Sequence, residues 1–159
     1  MKKILSAIAL MLGFAMPSLA DEREQLIGVW KLQTYEIELQ GTGERKTPLG
    51  LNPNGYGIFT REGRTMAILT AEGREVPKTD GDRATAFKDM IAYTGMYRVE
   101  GDHWITKVDA SWNESWVGTD LIRFFKVDEG TLSVTSNFRP NPNYDGRIAR
   151  GHIKFAREK

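Results

Sequence analysis

Eight short runs of strand-forming residues, mostly joined by tight turns, constrain this chain more than any other feature. They are Gly28 to Leu39, Gly55 to Thr60, Thr65 to Thr70, Gly95 to Val99, His103 to Ser111, Leu121 to Val127, Thr131 to Ser136 and Arg147 to about Arg157. Turn signals separate them: Arg61-Glu62-Gly63-Arg64, Glu100-Gly101-Asp102 and Asp128-Glu129-Gly130. Short connections join antiparallel neighbours, because a parallel pair needs a long crossover. The expectation is an all-β fold, an eight-stranded antiparallel barrel. In the first run, Trp30, Leu32 and Thr34 share one parity, while Tyr35, Ile37 and Leu39 take the other. That switch predicts a bulge near Thr34–Tyr35, of the kind a strand needs where a sheet curls closed.

The other segments are fewer. Lys2 and Lys3, the apolar run Ile4 to Phe14, Pro17 and Ser18-Leu19-Ala20 read as a signal peptide over residues 1–20, cleaved after Ala20. The apolar run is shorter than the roughly 20 residues of a membrane span. A mature domain 21–159, periplasmic or secreted, is expected, with no stable span after cleavage. Glu22 to Ile27 allows one helical turn. Asp80 or Asp82 caps a helix running to about Tyr93, between the third and fourth of the eight runs. Its Ala84, Phe87, Met90 and Ile91 fall on one face and are expected to pack on the core. The Phe138 to Tyr144 segment, with two prolines, reads as an irregular connection in preference to a lid.

Composition excludes several functions. Lysine and arginine total 22 against 21 acids, with no basic stripe, so nucleic acid is not an expected partner. There is no cysteine and only His103 and His152, which leaves no usual transition-metal ligand set. No nucleophile elbow or phosphate loop occurs, and no cofactor is expected.

The candidate site centres on Trp104 to Phe125, which reads as strand, polar-aromatic loop, strand. A hairpin centred near Trp116 places Asp109 opposite Arg123. If both point inward, they form either an internal ion pair or a site where Arg123 grips an anionic group. Trp112, Asn113 and Trp116, with Glu114, fall in the connecting loop, where a barrel mouth carries its ligand contacts. Tyr56 and Tyr97 (and Tyr93) offer hydroxyls to the interior, and Met66, Met90 and Met96 an adaptable lining. The ligand-binding candidates are therefore Tyr56, Tyr97, Asp109, Trp112, Asn113, Trp116 and Arg123.

Leu26-Ile27-Gly28-Val29-Trp30, Gly55-Tyr56, Thr60-Arg61-Glu62-Gly63-Arg64, Tyr93-Thr94-Gly95 with Tyr97-Arg98-Val99, Ser111-Trp112-Asn113 with Trp116-Val117-Gly118-Thr119, and Arg123-Phe124-Phe125 together resemble the bacterial lipocalin-like domain family. The resemblance implies a lipocalin-type barrel closed at one end by Trp30, with a late arginine, Arg157, packed on that ring. It also implies one or two histidines where this chain has Thr106 and Lys107, a departure that leaves histidine chemistry without its residues. A fold of this kind sets no substrate.

Three functions are consistent with these readings. The first is a binding protein that holds a small, mostly apolar molecule with a polar or anionic end near Arg123, since an eight-stranded barrel is wide enough for one such ligand. The second is a barrel enzyme of isomerase, cyclase or hydrolase type, with Asp109 or Glu114 as acid/base. The third is a structural envelope protein with a filled barrel. Binding ranks above catalysis.

Overall fold

The computed structural model describes residues 19–141, 144 and 146–159, so the apolar leader lies almost wholly outside the described residues. Helix α1 (Leu19–Leu26) leads into strand β1 (Gly28–Leu39). Then follow β2 (Arg45–Lys46), β3 (Asn54–Phe59), β4 (Arg64–Thr70), α2 (Asp80–Lys88), β5 (Met90–Glu100) and β6 (His103–Ser111). A 3-10 turn (Glu114–Trp116) precedes β7 (Asp120–Asp128), β8 (Thr131–Ser136), β9 (Arg139–Pro140) and β10 (Ile148–Arg157). Eight long strands pair antiparallel in the order β1-β3-β4-β5-β6-β7-β8-β10, and β10 returns to β1. The sheet is thus a closed eight-stranded antiparallel barrel, and the two-residue strands β2 and β9 are short flaps on β1 and β10.

Alternation builds the core. Trp30 and Leu32 face inward; the β1–β10 register then slips between Leu32 and Thr34, and Tyr35, Ile37 and Leu39 face inward on the other parity. Gln33 is the extra residue, so the expected bulge forms one position early. A second slip falls between Thr94 and Gly95 on β5. Glycine is required there, because a Cβ on Gly95 would lie 2.0 Å from the carbonyl oxygen of Lys107. The turn between β3 and β4 closes as the sequence reads, with Gly63 at φ 98° and Thr60 N–H donating to Arg64 O.

One end of the barrel is sealed by α1. Leu26 is fully buried, and the Trp30 indole N–H donates to Leu26 O at 2.7 Å. The Arg157 guanidinium lies over the Trp30 ring, 4.1 Å from its centroid, and donates to the carbonyls of Gln25 and Ile27. The Trp–Arg closure expected from the resemblance is therefore present. Behind it Tyr97, Phe59, Trp104 and Phe125 pack ring to ring, with centroids 5.0–5.5 Å apart.

The helix expectation is corrected in two respects. The helix follows the fourth strand in chain order, because β2 forms inside the Gly41–Pro53 connection. It also ends at Lys88 and has no buried residue, with Phe87 half exposed. Met90 and Ile91 already belong to β5, paired with Thr70 and Leu69, so they never share a helical face with Ala84 and Phe87. Its N-cap is Thr79, in a reciprocal capping box with Asp82.

Candidate functional site

The opposite half of the barrel interior is a cavity. The room that the centre of a water molecule can reach is about 60 Å³, enough for roughly four waters. Small residues in the wall make the space: Gly57, Ala67, Ala149 and Gly151 stand where larger side chains would fill it. Phe59, Leu69, Ile91, Val134, Ile153 and Phe155 supply an apolar lining. Trp116, Tyr93 and the segment Arg139–Asn141 border the remaining side.

Among the described residues the charged groups in the lining are two arginines. Arg123 points inward from β7, where Leu121, Arg123 and Phe125 share the inner face, and is only 6% exposed. Its Nη1 donates to Ile122 O at 3.0 Å. Arg139 reaches the cavity from β9, its guanidinium 5.0 Å from the centroid of Trp116. Burial, and then the neighbouring Arg123 charge, push its pKa down from the ordinary arginine value. Among the described residues no Asp or Glu lines the cavity, and no ion pair involves either arginine. The indole N–H of Trp104, another lining residue, is buried without a hydrogen-bond partner. Buried donors are normally satisfied, so one left over beside a cavity marks a place for an acceptor. Tyr35 is hydrogen-bonded to Asn141, and burial raises its pKa above the ordinary 10.0.

The expected Asp109–Arg123 pair is not formed. Arg123 pairs across from Trp104, and Lys107 from Asp120, so the hairpin is centred between Asn113 and Glu114 and not at Trp116. The symmetric expectation fails because β6 runs past the start of β7 and pairs its last residues with β5, Ser111 opposite Tyr93. Asp109 faces outward and binds Arg64, Oδ2 to Nη2 at 2.9 Å. That hydrogen bond lowers the Asp109 pKa, keeping the carboxylate ionised on the outer surface.

The other candidates divide. Trp116 is buried and lines the cavity; Trp112 packs edge-on against it at 4.8 Å without lining it. Asn113 caps the 3-10 turn, its Oδ1 accepting from Ser115 N–H, and Glu114 is exposed. Tyr97 is buried at the sealed end, its hydroxyl donating to Thr60 O. Tyr56 is on the outer face beneath the Lys31 ammonium. Of the methionines, Met66 is half exposed but borders the cavity, whereas Met96 is half exposed and does not line it. Residues 142, 143 and 145 of the 137–146 loop lie outside the described residues, but its Arg139–Asn141 portion borders the cavity. Sequence reasoning missed Arg139, Tyr35 and Ser136. Alternation could have marked Tyr35 and Ser136, whereas an arginine in a proline-bearing loop has no periodicity to place it.

Among the described residues no group of three or more His, Asp or Glu is arranged to hold a metal ion, and no helix is long and apolar enough to cross a membrane. A search of curated proteins gives no match. The model of the lipocalin-like domain family matches residues 27–157. That span holds the ten strands of the described residues, from the Trp30 closure to the Arg157 that packs on it, and the chain belongs to the lipocalin-like domain family.

Proposed function

We propose that this barrel is an exported binding protein for a small, mostly apolar molecule whose anionic end sits at Arg123. The lipocalin-like fold supports ligand binding in general. The observation that carries the finer reading is a mainly apolar cavity with a buried arginine and, among the described residues, no acid in its lining. An unpaired buried cation is costly, and an anionic group supplies the missing charge. The apolar wall removes the rest of the ligand from water. The small free volume favours a short tail or a ligand that displaces groups at the mouth.

Catalysis by Asp109 or Glu114 has no support from this arrangement, since both are exposed and neither lines the cavity. Export rests on the leader pattern of residues 1–20.

Native mass spectrometry on the full-length gene product, recovered from the periplasm under mild conditions, tests both parts. The expected result is a polypeptide of Asp21–Lys159 carrying an added mass that leaves on unfolding and is reduced in Arg123→Gln. A bound mass unchanged in a folded Arg123→Gln protein rules out the anionic-end reading. Recovery of an uncut chain in the cytoplasm rules out export.

A further inference from the structure

Resting on the cavity-binding reading just given, we propose that the ligand head is a compact dianion, such as a phosphate monoester, held between Arg123 and Arg139, and that Arg139 selects for the second charge. Two guanidiniums line one small space, and among the described residues no carboxylate lines it with them. Arg123 is almost fully buried and spends one N–H on the carbonyl of its own neighbour. Arg139 is held at the rim by the Trp116 ring and by its short strand pairing to Ala149. A monoanion neutralises one of these charges and leaves the other facing a low-dielectric wall. A dianion neutralises both, and the two charges cease to oppose each other.

The geometry of the groups favours the same head. Each guanidinium presents a planar fork that binds two oxygens of one anion. A phosphate monoester offers three terminal acceptor oxygens, so two forks can each take an edge and share one oxygen. The unpartnered N–H of Trp104 lies on the same lining, across the β6–β7 pairing from Arg123, and adds a neutral donor. Among the described residues the lining holds no charged oxygen to accept a hydrogen bond from the head, so a cationic or zwitterionic head is disfavoured. The cavity, about 60 Å³ with Phe59, Leu69 and Phe155 in its apolar lining, has room for a short tail only.

The test is calorimetric titration of the whole protein with butyl phosphate, butanoate and butanol in a phosphate-free buffer at pH 8. The tail is constant and the head carries close to two, one and no negative charges, since a phosphate monoester has its second pKa near 6. Butyl phosphate is expected to bind about tenfold or more tighter than butanoate, the scale of one added charge-assisted contact. In Arg139→Gln that preference should fall to about twofold or less, with butanoate affinity nearly unchanged. Arg139 is on a two-residue edge strand, so this variant should fold; Arg139→Lys, which keeps the charge without the fork, should recover part of the preference. Equal affinity for the two anions overturns the dianion proposal and leaves the cavity reading standing. Butanol binding as tightly as both anions overturns any role for the arginines in choosing the head. No saturable binding of any of the three overturns the cavity reading together with this one.

Discussion

Tyr35 is buried on the inner wall with its hydroxyl bonded to Asn141, and burial raises its pKa above 10.0. The neutral phenol is therefore favoured by the fold. A raised folded-state pKa contributes stability that is fully present below the unfolded value, here about pH 10, and is lost as pH climbs through the folded value. Urea unfolding of the native chain and of Tyr35→Phe from pH 8 to 11.5 should show this. At pH 8 the variant should be less stable by about 1 kcal/mol, the usual net cost of one hydrogen bond. Above pH 10 the gap should close, because only the native chain has a phenol to ionise; a gap constant with pH would contradict the assignment. At this scale Trp30, Arg157 and Trp116 were legible in the sequence, each through strand parity, loop position or family likeness, whereas the face that Arg123 occupies was left open by it. Asp109 was misplaced because its partner depended on a register, and a register is decided by both neighbours of a strand. Arg64, on a strand two removed in the sheet, captures it.

The two helices exchange the roles their sequences suggest. Helix α2 keeps only Ala84 and Phe87 of the expected apolar stripe and buries nothing, while α1, a short segment with one evident anchor, seals the barrel. The difference is where each is attached. α1 runs directly into β1, and Trp30 N–H and the Arg157 guanidinium capture its last carbonyls. α2 is separated from β4 by a nine-residue loop that includes Gly73, Pro77 and four charged residues, and the chain enters β5 two residues after it ends. Leu26→Ala should cost about 2–5 kcal/mol, the usual penalty for truncating a fully buried leucine. Phe87→Ala should remain within about 0.5 kcal/mol of the native protein, as exposed substitutions do. Chemical denaturation of both variants measures the contrast, and comparable losses would mean that α2 covers apolar surface after all.

At the scale of the molecule, closure makes one unit. The β1–β10 pairing runs from Trp30–Arg157 to Leu39–Ala149, so the first and last long strands support each other along their whole length. A barrel with no open long edge should unfold in one step. Far-UV circular dichroism and tryptophan fluorescence should therefore give coincident urea transitions, since Trp30, Trp104 and Trp116 are all buried in the same core. Separated transitions would show that the sealed end and the cavity end melt independently.

The number of long strands, their antiparallel order, the bulge in β1 and the tight turn at Gly63 follow from local pattern. Period-two burial and turn residues act over a few positions, and the sequence alone determined these features. The same is true of the Trp–Arg closure, which the family likeness carried. Only the tertiary structure decided which charges share a space. That depends on how far β6 outruns β7, on small residues from β3, β4 and β10 meeting across the barrel, and on a loop arginine folding back over Trp116. These contacts join residues far apart in the chain, and strand parity says which way a side chain points but not what stands opposite it.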